Sequence, residues 1–297
     1  MPMNTDDMTA KMAAGQGFIA ALDQSGGSTP KALTGYGVEE GAWSSDEEMF
    51  ELIHQMRTRI IKSPTFAGGK VIGAILFEKT MDGSVDGKPV PQALIDLSVV
   101  PFLKIDKGLE AETDGVQLMK PMPGLDALLE RAKALGVFGT KERSVINAAN
   151  AGGIAAVVAQ QFEVGEQVLA HGLMPILEPE YSIKAADRGE GEEMLKAEIL
   201  KQLEGLPEGR QVMLKLSIPV VPNFYRELIA HPKVLAVVAL SGGYSTDEAC
   251  EKLAENQGMI ASFSRGLLQD LRAQQSDEEF DRTLGAAIDQ IHMASIR

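Results

Sequence analysis

Two hydrophobic rhythms take turns along this chain. Short apolar runs bounded by glycine, proline or charged residues read as buried strands: Gly17 to Asp23, Val71 to Phe77, Val99 to Lys107, Val137 to Val145, Leu173 to Glu180, Gln211 to Pro219, Val234 to Leu240 and Met259 to Phe263. Stretches of helical spacing lie between them. Asp46 to Ile61 places Met49, Leu52, Ile53, Met56 and Ile60 on one face behind an N-cap at Ser45. Leu125 to Leu135 and the Ala-rich Asn147 to Ala170 follow, then Ala185 to Leu203, acidic and read as largely solvated, Asn223 to Ala230, and Thr246 to Ala254 behind Ser245 or Thr246. Residues 1–16 form a helical lead-in, one or two helices close the chain from about residue 266 to 297, and Gly83, Gly87, Pro89 and Pro91 mark a loop.

Strand and helix alternate without a linker, a repeat or a low-complexity tract, which calls for a parallel sheet. Eight such units in 297 residues, somewhat more than the ~250 typical of the architecture, predict an α/β protein made of a single (β/α)8 TIM barrel spanning residues 1–297. An open doubly wound sheet is the competitor, but no strand leads into a Gly-x-Gly-x-x-Gly turn.

Charge and cysteine content narrow the function. Asp and Glu number 42 against 28 Lys and Arg, a net charge of -14, which disfavours nucleic acid or an anionic membrane as partner, so any anion site must be local. The one cysteine, Cys250, leaves no intrachain disulfide and reads as a packed helix residue. Asp6 and Asp7 near the start do not fit a secretory leader, and no apolar run approaches the ~20 residues of a membrane helix. The cytoplasm is the expected compartment.

In a barrel the active site lies at the carboxyl ends of the strands. Those ends carry Asp23, Lys104 with Asp106, Lys141 with Arg143, Glu178 with Glu180, Lys215, Ser241-Gly242-Gly243 and Arg265; the second strand, ending at Glu78 and Lys79, is the least clear. Side chains alternate across a strand, so each i,i+2 pair points to one face together. Lys215 stands in the middle of an apolar run. Either it snorkels to water from an edge strand, or it sits in an apolar pocket crowded by Lys104, Lys141 and Arg143, where a neutral amine forms more readily and attacks a carbonyl.

Metal chemistry has little to draw on, because His54, His171, His231 and His292 show neither His-x-His nor His-Glu-x-x-His spacing. A carboxylate-only Mg²⁺ site at Glu178 and Glu180 stays open, opposed by the neighbouring lysines. No Gly-x-Ser-x-Gly elbow supports a serine triad. Two glycine-rich turns, Ser25-Gly26-Gly27-Ser28 and Ser241-Gly242-Gly243, each follow a strand and precede helical sequence, a setting in which bare N–H groups cradle phosphate. Arg265 adds a planar cation after the eighth strand.

These residues together resemble class I fructose-1,6-bisphosphate aldolase, in the order and spacing of Phe18-Ile19-Ala20-Ala21-Leu22-Asp23-Gln24-Ser25, Gly73 to Glu78, Leu103 to Gly108, Lys141-Glu142-Arg143, Pro175 to Glu180, Met213-Leu214-Lys215 and Leu240 to Gly243. The likeness spans residues 17–267 at the length of the short bacterial form. It implies a cofactor-free and metal-free lyase that splits fructose 1,6-bisphosphate into dihydroxyacetone phosphate and glyceraldehyde 3-phosphate, reversibly, in glycolysis and gluconeogenesis. It further implies Lys215 as the Schiff-base lysine, Glu178 as the main acid/base, Asp23 at the C4 hydroxyl and Lys141 as electrostatic partner. Ser241, Gly242, Gly243 and Arg265 would hold the 1-phosphate, Ser25, Ser28, Lys104 and Arg143 the rest of the substrate, and Asp106 and Glu180 would support the lysines.

Three features depart from the animal members. Gln24-Ser25-Gly26-Gly27-Ser28 stands where they have Glu-Ser-Thr-Gly-Ser, Ala32 where they carry an arginine, and the last residues, Ile291 to Arg297, lack their terminal tyrosine. Another sugar phosphate as substrate, or a barrel that only binds one, are the rival readings. The assembly is expected to be a monomer or a homo-oligomer.

Overall fold

Side by side in the computed structural model, which describes residues 3–297, the eight apolar runs pair as one parallel series. They are β1 (Phe18–Leu22), β2 (Val71–Leu76), β3 (Val100–Lys104), β4 (Gly139–Ile146), β5 (Met174–Tyr181), β6 (Val212–Ser217), β7 (Val234–Leu240) and β8 (Met259–Ala261), each hydrogen-bonded to the next in chain order. Such a series, with helices between the strands, curls into the (β/α)8 barrel that the alternating pattern predicts.

Period-two alternation builds the interior. Ile19, Ile75, Phe102, Ile176, Met213, Val238 and Ile260 point inward and pack with Met8 and Met12 of the helix Thr5–Ala14, which plugs the barrel from its amino-terminal end. Residues of the other parity, such as Ala74, Leu103, Leu177, Leu214 and Ala239, join the larger core beneath the surrounding helices. An inward residue two or four positions further along each strand therefore lies at the carboxyl-terminal mouth.

No ladder joins β8 to β1 among the described residues; a side chain bridges the seam instead. Ser295, buried on the helix Asp277–Ser295, donates to the Gly17 carbonyl at 2.7 Å and accepts from the Ala261 N–H at 2.8 Å. That helix starts behind a capping box of Ser276 and Glu279, and its last turn lies between the start of β1 and the end of β8.

Two local expectations are corrected. The loop marked by Gly83 and Pro91 contains a small hairpin, Ser84–Val85 with Lys88–Pro89, and Pro91 sits in the first turn of a helix, Val90–Asp96, where its missing N–H is no loss. The helical sequence expected after the first glycine-rich turn is the helix Ser28–Gly35. The acidic helix, Arg188–Gly205, is not largely solvated: it buries Leu195, Ile199 and Leu203 and a buried Arg188–Glu192 ion pair. Cys250 is buried in the helix Thr246–Ala254, and among the described residues no helix is long and apolar enough to cross a membrane.

Candidate active site

Five of the charged strand-end residues meet inside the mouth. Asp23 follows β1, Lys104 ends β3, and Lys141, Glu178 and Lys215 lie within β4, β5 and β6, each on the inward parity of its strand. Lys215 Nζ is 3.1 Å from Glu178 Oε1, Lys141 Nζ is 2.8 Å from Glu178 Oε2, and Lys141 Nζ is 2.9 Å from Asp23 Oδ2. The result is a line of alternating charge, Lys215, Glu178, Lys141, Asp23, with both lysine side chains and Glu178 no more than 5% exposed. Lys215 is therefore not a snorkelling edge residue. Its strand is paired on both sides and its amine ends in the mouth.

The line sets the protonation of its members. Burial acts to raise the Glu178 and Asp23 carboxyls, but Lys141, with help from Lys215, holds Glu178 below the usual glutamate value and Asp23 far below the usual aspartate value. Burial acts to lower Lys141, and Asp23, Glu178 and Asp106 outweigh it, so that amine stays charged well beyond the ordinary lysine range. Each Glu178 oxygen thus faces one ammonium group, Oε1 that of Lys215 and Oε2 that of Lys141.

Around this line the remaining strand-end pairs close on themselves. Lys104 Nζ donates to Asp106 Oδ1 at 2.7 Å, Arg143 Nε bonds Glu180 Oε2 at 2.5 Å, and the Arg143 N–H reaches Asp106 Oδ2 at 3.2 Å. The inward parity of all three i,i+2 pairs holds. The expected crowding of Lys215 by bare cations does not: Lys104, Lys141 and Arg143 each have a carboxylate partner, and the nearest charge to Lys215 is Glu178. Glu178 and Glu180, the pair that could have made a carboxylate metal site, are both spent on cations, and no group of three or more His, Cys, Asp or Glu among the described residues is arranged to hold a metal.

The phosphate candidates form a more open rim. Gly242 and Gly243 adopt φ of 60° and 120°, conformations that favour glycine, and their N–H groups meet no protein acceptor among the described residues. A Cβ built on Gly243 would lie 3.6 Å from Arg265 Nη2, so the exposed guanidinium hangs over this turn, and it makes no ion pair within the described residues. In the other turn Ser28 Oγ is engaged, donating to the Ser25 carbonyl and accepting from the Ser25 N–H, while Gly26 and Gly27 are exposed. Glu78, at the end of β2, faces away from the cluster toward Lys107 and Arg131.

Two buried polar residues that hold the site were not foreseen. Arg57, 1% exposed, donates to the Gln24 carbonyl at 2.6 Å and to Thr80 Oγ1 at 2.7 Å, and Gln24 in turn donates to Ser264 Oγ at 2.6 Å, tying the end of β1 to the segment before Arg265. Burial brings Arg57 down to about 10 against the pull of Asp23. Gln161 on the helix Ala151–Ala170 reaches the backbone of Glu178. Both occupy positions on the apolar stripe of their helices, Arg57 between Ile53 and Ile60, Gln161 between Val157 and Gly165, and a polar residue on such a stripe is the signal that could have revealed them. Surface grooves of 580 Å³, beside His54, Arg59 and Asp281, and of 430 Å³, beside Met8 and Phe138, contain none of these residues.

A parallel (β/α)8 barrel with its charged side chains gathered at the strand ends has the layout of barrel enzymes that work at the mouth. The model of the family described as fructose-bisphosphate aldolase class-I matches residues 5–202, and the chain belongs to that family as an enzyme of that class. The matched stretch carries Asp23, Lys104, Lys141 and Glu178 and ends before Lys215. Among solved structures, a fructose-bisphosphate aldolase from Plasmodium falciparum, in ternary complex with TRAP and a small-molecule inhibitor, has a TM-score of 0.73 at 19% identity, over 97% of this chain and 95% of that one. At that identity the likeness concerns the fold.

Proposed function

We propose that this aldolase cleaves fructose 1,6-bisphosphate reversibly to dihydroxyacetone phosphate and glyceraldehyde 3-phosphate through a Schiff base on Lys215, with no cofactor, in cytoplasmic glycolysis and gluconeogenesis, and that the whole chain works as one barrel unit. The observation that carries this reading is the 3.1 Å contact between Lys215 Nζ and Glu178 Oε1, inside a line that continues through Lys141 to Asp23.

Proton transfer from Lys215 to Glu178 frees the amine, which attacks the substrate ketone carbon. Glu178 then returns a proton to the departing hydroxyl, and loss of water leaves an iminium. Asp23, ionised because Lys141 holds it so, accepts the proton of the C4 hydroxyl. The C3–C4 bond breaks, the aldehyde leaves, and the electron pair moves toward the iminium nitrogen to give an enamine. Protonation of that enamine and hydrolysis of the imine release dihydroxyacetone phosphate and restore Lys215. The final proton is assigned to Glu178 or a water beside it. Lys141 keeps its charge throughout and steadies developing oxyanions.

Ser241, Gly242, Gly243 and Arg265 are assigned to one phosphate, Ser25, Ser28, Lys104 and Arg143 to the other. At the second end the phosphate must replace Asp106 and Glu180 as partner of the two cations. The test is triose phosphate release from fructose 1,6-bisphosphate with EDTA present. Activity should persist in the wild type and fall roughly 10⁴-fold or more in Lys215→Met. Abolition by EDTA, or an active Lys215→Met protein, would overturn the reading; kcat/KM for other ketose bisphosphates fixes the substrate range.

A further inference from the structure

Glu178 has an unusually one-sided backbone. Along β5 the even-numbered N–H groups face β4, as the bonds from Met174 to the Phe138 carbonyl and from Ser182 to the Ile146 carbonyl show, so the odd-numbered ones face β6. Two of those odd positions are Pro175 and Pro179, which have no N–H to give. The β5–β6 pairing accordingly shrinks to Ile176 with Met213 and Leu177 with Leu214, whereas β4–β5 runs unbroken from Gly139 with Met174 to Ile146 with Tyr181. Beyond Leu177 the links to β6 are side chains, Glu178 with Lys215 and then Ser217 Oγ donating to the Tyr181 carbonyl. Glu178 and Lys215, on β5 and β6, thus face each other just beyond the last paired rung of this seam.

On the tight side, one side chain spans the rung behind Glu178. By the same two-residue spacing, the Glu178 N–H faces the Glu142 carbonyl. The Gln161 amide oxygen accepts from the Glu178 N–H at 3.2 Å, and its NH₂ donates to the Glu142 carbonyl at 3.2 Å and to Ser144 Oγ at 2.7 Å. Gln161 is 1% exposed and Ser144 is fully buried. A buried carboxamide keeps its orientation because a rotation would leave its own oxygen and NH₂ without these partners.

We propose that Gln161, which contacts no reacting atom, is the positioning residue for the acid/base carboxylate: it fixes β5 against β4 from outside the barrel, and thereby sets the Glu178–Lys215 distance that the β5–β6 seam leaves slack. The inference rests on the Schiff-base reading given above. It predicts that Gln161→Leu slows the steps that need Glu178 while leaving the phosphate rim, and so substrate binding, alone.

The experiment measures borohydride trapping of dihydroxyacetone phosphate over time, together with the pH profile of kcat and with KM, in the wild type, Gln161→Leu and the unbranched Gln161→Met. The expected result is an adduct in the wild type, trapping and kcat slowed about 10- to 100-fold in both variants, a displaced acid limb of the kcat profile, and KM within about threefold, as expected for a misplaced proton-transfer group. Gln161→Met fills nearly the same space and carries the test if Gln161→Leu does not fold. Folded variants with a lowered melting temperature but wild-type trapping, kcat and pH profile would reduce Gln161 to a structural residue and overturn the proposal, with the lysine mechanism intact. No adduct in the wild type would remove the lysine mechanism and this proposal together.

Discussion

The floor of the site and its rim hold charge in opposite ways. On the floor, Lys104, Lys141, Arg143 and Lys215 meet Asp23, Asp106, Glu178 and Glu180, so four cations and four carboxylates cancel among themselves before any ligand arrives. At the rim, Arg265 is exposed above the N–H groups of Gly242 and Gly243, and among the described residues neither it nor they meet a partner. Buried charge is tolerable only when paired, and removing one partner strands the other. Exposed charge needs no partner and is free to wait for one. A floor built this way arranges proton donors and acceptors in advance, while a rim built that way selects an anion in a chain whose net charge is -14.

The contrast breaks most visibly at Glu178, whose two oxygens each meet a buried lysine. Glu178→Gln should lower kcat about 10²- to 10⁴-fold and destabilise the fold by about 3 kcal/mol, because two buried ammonium groups lose their common partner. Steady-state kinetics and urea unfolding read the two effects; unchanged stability would contradict the account of the floor. At the rim, Arg265→Ala should raise KM for the bisphosphate about tenfold, with kcat much less affected and melting unchanged, since an exposed guanidinium supports binding and not folding. A loss confined to kcat would place Arg265 among the reacting groups instead.

The smallest effect falls outside both regions. Glu142 points away from the mouth, fully buried, with Oε2 accepting from Thr140 and Oε1 without a partner. Burial pushes its carboxyl well above the usual range. The folded protein keeps that proton where the unfolded chain releases it near pH ~4.3, so this group makes the fold less stable as pH rises toward and through neutrality. Glu142→Gln should therefore raise the melting temperature at pH 8 by roughly 2–4 °C, less at pH 5, and leave kcat within about twofold. Scanning calorimetry at the two pH values checks the slope, and a variant less stable at pH 8 would show that the carboxylate has a role the static contacts do not reveal.

The features that could be read from the sequence are those that depend on near neighbours. Strand parity placed Lys104 with Asp106, Lys141 with Arg143 and Glu178 with Glu180 on the inner face, because alternation over two residues is a local property. Who pairs with whom is not local: Lys141 chooses Asp23 and Glu178, and Arg143 chooses Glu180 over Asp106, through strand order and not through spacing. The cation-crowded pocket expected around Lys215 failed for this reason, since charges counted along the chain carry no information on which carboxylates neutralise them. Gln161, Arg57 and Ser295 were missed for a related one. Each acts on backbone groups far away in sequence, Glu178, Gln24 and Gly17 respectively, and each looks like an interruption of an apolar helix face until those strands are in place. The helix Arg188–Gly205 misled in the opposite sense, its many acids concealing a buried stripe of Leu195, Ile199 and Leu203.

The central claim is that Lys215, aligned by Glu178, is the nucleophile. Its most direct test is to incubate the protein with dihydroxyacetone phosphate without divalent metal, reduce with borohydride, digest, and locate the added mass by spectrometry. A stable adduct on the peptide that contains Lys215, absent from Lys215→Met, is the predicted result. An adduct on Lys104 or Lys141 instead, or none in folded protein, would contradict it.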